Sequence, residues 1–264
     1  MIRFSPPAIL IALLAITATA CGGPKGERQP GMDADEVAAW QMQYSLARGG
    51  RLYDNWYKEI DIPAPKTGHT AYPATGHYAA KAKSNWRCKE CHGWDYLGVK
   101  GAYATGKHHT GITGIDKMRS HPPAAIIAIL KDDTHGMAGL ISQDDFQDLA
   151  NFVSMGQVDT DRYIDRTTRR IKDGNVVRGQ AYFNTLCAHC HGLKGQLPRK
   201  MKPLGKLVND NPWEVLHKVL NGQPDEEMPA LRALAAEIPA LRTLRNPSVP
   251  LDIMAYLQTL PRER

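Results

Sequence analysis

Two short stretches of the 264-residue chain carry one reactive pattern, Cys88-Lys-Glu-Cys91-His92 and Cys187-Ala-His-Cys190-His191. Two thiols three residues apart reach the two vinyl groups of one porphyrin and form thioethers, and the adjacent imidazole then lies under the iron. The pattern predicts two covalently bound c-type haems, one on Cys88 and Cys91, the other on Cys187 and Cys190, with His92 and His191 as proximal ligands. The competing reading of C-x-x-C is a zinc or dithiol redox site. Zinc would need both cysteine pairs close together or dedicated histidine pairs. The one remaining cysteine, Cys21, ends an N-terminal apolar run, so neither a disulfide scaffold nor a catalytic thiol fits the count.

The surroundings of the motifs repeat as well. Gly50-Arg-Leu-Tyr53 precedes the first and Gly179-Gln-Ala-Tyr182 the second, and Gly93 and Gly192 follow them. Downstream, Pro122-Pro123 opens a helix with Ile126, Ile127 and Leu130 on its apolar face. Its counterpart takes Asn211 as N-cap, Pro212 in the first turn, Leu216, Val219 and Leu220 as apolar positions and Gly222 at the end. Met137 follows the first of these helices and Met228 the second. Each half then closes with an amphipathic helix: Phe146, Leu149, Ala150 and Val153 after Ser142, and Ile253, Leu257 and Leu260 after Ser248.

This order of helix, C-x-x-C-H, helix, methionine loop and closing helix resembles the class I cytochrome c fold, present twice. The resemblance covers roughly residues 35–157 and 174–262. It implies a mainly α protein of two tandem domains, 35–157 and 174–264, joined by a charged linker over 158–173. Each domain would wrap its helices around one haem, the first and last helices crossing. Tyr182 precedes Cys187 by five residues but Tyr53 precedes Cys88 by thirty-five. The first domain therefore carries an insertion near 56–85, with Pro63, Pro65, Pro73, His69 and His77, expected to wrap it as an irregular loop. Trp86, Trp94 and Tyr96 are expected to pack on the porphyrin or its rim.

The family's distal ligand is a methionine in a loop after a helix. Met228, followed by Pro229 and 37 residues beyond His191, fits that place, whereas Met201 is too near His191 and Met254 falls in the closing helix. In the first half Met137 holds the homologous position, 45 residues beyond His92, but Ala138 follows it instead of proline. The reading takes Met137 and leaves open His135, two residues away, and the other imidazoles, His108, His109 and His121. A thioether favours ferrous over ferric iron and raises the potential. Two six-coordinate irons leave no vacancy for a substrate.

At the N-terminus Arg3 precedes thirteen uncharged residues, Ala8 to Ala20. A bilayer span needs about 20, so the stretch fits the apolar core of a secretory signal over 1–20, with Ala18-Thr19-Ala20 as cleavage site. Cys21 resembles the lipid-acceptor cysteine of bacterial lipoproteins, although Ala18 stands where that pattern prefers leucine. Ordinary cleavage or an uncleaved anchor are the alternatives. Residues 21–34, rich in Gly and Pro, read as a flexible tether. All three readings place the chain on the periplasmic side of a bacterial membrane, anchored there if lipidated.

A net charge of +6, without long basic runs, sets nucleic acid aside as a partner. Nothing resembles a phosphate loop, a nucleotide site or a hydrolytic triad. The expected function is single-electron transfer between a redox-protein donor and acceptor, or within a membrane oxidoreductase complex. The competing expectation is an enzyme that oxidises thiosulfate or reduces peroxide at the first-domain haem, where the insertion and extra histidines gather.

Overall fold

The computed structural model describes residues 33–237 and 248–264, so the leader over 1–20, Cys21 and nearly all of the tether lie outside the described residues. The first helix, α1 (Ala34–Glu59), starts at a capping box: Asp33 Oδ1 accepts the Glu36 N–H at 2.8 Å, and the Glu36 carboxylate accepts the Asp33 N–H at 3.4 Å. It buries Leu46, Leu52, Tyr53 and Trp56. An irregular stretch leads to α2 (Ala82–Asn85) and α3 (Cys88–His92). Then come α4 (Pro123–Leu130), burying Ile126, Ile127 and Leu130, and α5 (Gln143–Asn151), capped reciprocally by Ser142 and Asp145 and running into a π-turn over Phe152–Gly156. The second half has α6 (Val176–Leu186), α7 (Ala188–His191), α8 (Leu204–Asp210), α9 (Pro212–Asn221), α10 (Leu231–Glu237) and α11 (Ser248–Leu257). Asn211 caps α9 and Gly222, at φ +87°, ends it. Among the described residues the only β pairings are two isolated bridges, Gly98 with Thr113 and Ile164 with Ile171, so the protein is mainly helical.

In each half the first and closing helices pack against each other, α1 on α5 and α6 on α11. Both crossings turn on an Arg-Gly pair. A Cβ on Gly49 would lie 2.1 Å from the Asp148 carbonyl oxygen, and one on Gly179 would lie 1.8 Å from that of Asp252. The preceding arginines hold the partner helix: Arg48 reaches Asp148 at 2.8 Å and also pairs with Asp145, and Arg178 Nε reaches Asp252 at 2.7 Å. This registers Tyr53 with Phe183, both buried, and shifts by one the pairing of Tyr53 with Tyr182 that the residue pattern suggested. Gly50 faces the other way: a Cβ there would meet Asn221 of α9 at 2.4 Å. The double glycine exists because α1 is approached closely on two sides.

The second approach is the contact between halves. His217 of α9 is 1% exposed, with Nε2 donating to the Gly50 carbonyl at 2.8 Å and Nδ1 accepting from Tyr96 Oη at 2.9 Å. Burial pushes its pKa from the usual 6.5 to about 4, so it is neutral here. Beside it Asp54, also 1% exposed, accepts from Lys218 Nζ at 2.6 Å and pairs with Arg87. Burial acts to raise that carboxyl, but Lys218 and Arg87 outweigh it and hold it well below the usual carboxylate range. The segment 158–173 is charged as expected, yet it is seated: Ile164 is 1% exposed, and Arg166 donates to buried Asp95 at 2.7 Å.

Two outcomes follow from this packing. Gly179→Ala should cost about 3 kcal/mol, the upper range of core overpacking, because the clash is with backbone; Val177→Ala on the same helix, 77% exposed, should change denaturant unfolding by no more than about 0.5 kcal/mol. His217 stays neutral in the fold but is protonated in the unfolded chain at acid pH. The unfolded state then binds more protons, and stability falls as pH drops from 6.5 towards about 4. Unfolding curves of the wild type and His217→Gln across that window should converge by up to about 3 kcal/mol.

Candidate functional site

The first C-x-x-C-H is a single helical turn, α3, which places Cys88, Cys91 and His92 around one wall of a cavity of about 430 Å³. Gly93, at φ +81°, ends the turn, a conformation that suits glycine, and its N–H returns to the Lys89 carbonyl at 3.0 Å. Tyr53 Oη donates to the Gly93 carbonyl at 2.6 Å and so ties α1 to the motif. The second motif repeats the device: Gly192 at φ +68° ends α7, with its N–H on the Ala188 carbonyl at 2.8 Å.

The walls of the first cavity come from every part of its half. Ile126, Ile129 and Leu130 of α4 face it, with Leu149 and Val153 from the closing helix and its π-turn. The long insertion contributes His69, Ala71, Asn85 and Trp86, and the loop after α4 contributes His135 and Met137. The insertion is anchored by the Trp86 indole on the Thr67 carbonyl at 2.8 Å and the Trp56 indole on the Trp86 carbonyl at 2.9 Å. α1 kinks at Asn55, φ −160° and ψ 86°, and a last helical turn runs to Glu59 before the irregular stretch.

His92 Nδ1 donates to the Thr113 carbonyl at 2.7 Å, which leaves Nε2 as the free nitrogen. Desolvation moves the His92 pKa down to about 4, so the imidazole is in its neutral, ligating form. His191 has the same arrangement, Nδ1 on the Leu197 carbonyl at 3.1 Å. Burial pushes the thiols of Cys88 and Cys91 up to about 12 and that of Cys187 up to about 11. Desolvation keeps these thiols protonated at neutral pH, unlike an activated nucleophilic cysteine. Two protonated thiols and a free imidazole nitrogen, beside a largely apolar cavity, fit a covalently bound porphyrin with His92 on its iron. In the second half Cys187 is half-buried, Cys190 exposed and Met228 half-buried in the loop after α9. Residues 238–247, between α10 and α11, lie outside the described residues.

Several sequence expectations need amendment. Trp86 does line the cavity, but Trp94 and Tyr96 serve the contact between halves: Trp94 joins the second-half core with its ring 5.0 Å from His217, and Tyr96 binds that histidine. His108 pairs with buried Glu90 at 2.5 Å and His109 Nδ1 bonds the Tyr103 carbonyl, so neither lines the cavity. The first half also holds a second insertion that the motif repeat does not reveal. His191 finds its carbonyl six residues on, whereas His92 finds Thr113 twenty-one residues on, across a loop closed by the Gly98–Thr113 bridge. Its signal lies in the glycines at 98, 101, 106, 111 and 114.

With this geometry in view, residues 174–240 match the family model described as cytochrome c oxidase, cbb3-type, subunit III. The match covers about a quarter of the chain; it supports a cytochrome c domain in that stretch, which implies covalently bound c-type haem and electron transfer in general. No curated protein matches the chain. Among the described residues no helix is long and apolar enough to cross a membrane.

Tyr53→Phe should leave haem content unchanged, since Phe183 occupies the equivalent place in the other half. It leaves the buried Gly93 carbonyl with only the longer bond from the Tyr96 N–H at 3.3 Å and should cost about 1 kcal/mol in denaturant unfolding of the holoprotein.

Proposed function

We propose that this protein is a dihaem cytochrome c that passes single electrons between redox proteins on the periplasmic side of a bacterial membrane, tethered through a lipid on Cys21. The observation that carries the reading is that both C-x-x-C-H turns are built alike. Each ends on a positive-φ glycine, and each commits its histidine Nδ1 to a backbone carbonyl. Each also sits in a half whose outer helices cross on an Arg-Gly pair. The cytochrome c match over 174–240 supports the second haem directly, and the shared construction extends it to the first.

A bound c-type haem supplies reversible one-electron chemistry. The chain's own residues do the rest. Cys88, Cys91, Cys187 and Cys190 keep the group from being lost outside the cell. His92 and His191 are held so that neither need move when charge changes. In the second half Met228 is proposed as the distal ligand. Packing of the halves through His217, Asp54 and Lys218 fixes the separation of the two sites. The carrier reading is favoured over the thiosulfate enzyme because Arg87, the one Lys or Arg among the described residues lining the first cavity, is committed to Asp54 and does not present its charge to an anionic substrate.

Intact mass and the pyridine haemochrome spectrum of the mature protein should give two haems per chain. The paired variants Cys88→Ser/Cys91→Ser and Cys187→Ser/Cys190→Ser should each retain one, still reducible by one electron. Met228→Ala should lower the potential of one haem and open its iron to carbon monoxide. Cys21→Ser should move the protein from the membrane to the soluble periplasmic fraction. A wild type with a single haem would refute the dihaem reading.

A further inference from the structure

We propose that His135, and not Met137, is the second axial ligand of the iron held by His92, which makes the first haem the lower-potential of the two. This rests on the reading of the first cavity as a haem site. His92 and His135 both line that cavity, with ring centroids 6.4 Å apart and ring planes inclined by 24°. Two imidazoles on opposite sides of one metal, each about 2 Å from it through nitrogen, have ring centres roughly 6 Å apart. The spacing therefore suits a single metal atom between them.

The hydrogen bonds point the same nitrogens inward. His92 spends Nδ1 on the Thr113 carbonyl. His135 spends Nδ1 on Asp132 Oδ1 at 3.2 Å, and its own N–H donates to that oxygen at 2.8 Å, so both ring and backbone are fixed by one carboxylate. Each ring keeps Nε2 unspent. A carboxylate behind a ligating imidazole orients the ring and raises its basicity. The His135 carbonyl is held in turn by His69 Nε2 at 3.1 Å. His69 is not a rival, because its Nδ1 accepts from the Ala71 N–H at 3.2 Å and both ring nitrogens are used. The insertion thus carries the residue that pins the distal loop.

Met137 lies two residues along, beyond Gly136 at φ +59°. That conformation turns the chain between them, and Met137 packs into the first-half core with Leu130 and Leu149, 4% exposed, its N–H on the Leu130 carbonyl at 3.3 Å. It builds the wall. Imidazole in place of thioether lowers a haem's potential, and the Asp132 carboxylate lowers it further by strengthening the donor. An electron shared between the two halves then rests on the second haem, with Met228, at equilibrium, and leaves from there.

Paramagnetic resonance and far-red absorption of the oxidised, mature wild type, with a redox titration, test this. The expected wild type has one low-spin bis-imidazole haem of lower potential and one haem with the far-red band of iron–thioether ligation. Met137→Leu, close in volume, should leave both ligation signals in place and, as a change in the cavity wall, shift only the first potential slightly. His135→Ala should lose the bis-imidazole signal, keep the thioether band, and regain a low-spin spectrum on addition of free imidazole. Two thioether-ligated haems in the wild type would overturn the assignment even if His135→Ala does not fold. A first haem whose ligation signal changes with Met137→Leu and not with His135→Ala would overturn it as well. A chain whose mass shows no haem on Cys88 and Cys91 would overturn the site reading itself, and mass separates that failure from a wrong ligand.

Discussion

An imidazole has two nitrogens, and only one of them can face a metal. Committing Nδ1–H to a fixed acceptor decides which, and both halves of this protein make that commitment to a backbone carbonyl. A carbonyl is placed by the path of the chain and not by the identity of a side chain. The glycines that end α3 and α7 start the return, and the Leu197 and Thr113 segments complete it. The second half returns within six residues and the first within twenty-one. Such an expansion is tolerable because the entropy of closing a loop grows only slowly with its length, provided the bridge between Gly98 and Thr113 still delivers the acceptor.

The two expansions of the first half are put to different uses. The earlier one closes the cavity with His69 and Trp86. The later one sends Tyr103 into the second-half core alongside Trp94, so the halves share apolar packing beyond what α1 and α9 provide. The polar part of that contact begins next to the first C-x-x-C-H turn. Arg87, immediately before Cys88, pairs with Asp54, and Asp54 pairs with Lys218 of α9. A buried carboxylate with two cationic partners is costly to expose or to leave half-paired, which argues for a single relative placement of the halves rather than two beads on a linker.

Much of the helical frame was legible because its signals are local. Ser142 and Asn211 are side chains that can cap the next turn, Pro123 and Pro212 suit a first turn, and the apolar stripes of α4, α5 and α9 follow the helical period. The repeat was legible only approximately. Glycine and tyrosine at like spacing aligned Gly50 with Gly179, but the crossing is decided by which glycine meets a carbonyl on another helix, and that is Gly49. Trp94 and Tyr96 were misplaced for the same kind of reason. Standing next to the motif in sequence, they look available to the porphyrin, yet the second half offers them a nearer partner in His217.

The proposal for the cysteines and the histidines that follow them rests on spacing, because thioether chemistry itself imposes the spacing. The distal side carries no such rule. Loop length brings His135 and Met137 to the cavity together, and two residues of chain cannot discriminate between them. What discriminates is which side chain has an acceptor behind it and which has apolar neighbours around it. Asp132 stands three residues before His135, a short-range pair visible in the sequence as Asp-Asp-Thr-His. Its meaning depends on a cavity built by residues as distant as Tyr53 and Val153. A carboxylate at a loop surface is ordinary; under the proposed assignment the same carboxylate, behind an imidazole whose ring lies 6.4 Å from a second one, is a ligand's support, and only the fold supplies that second half of the statement.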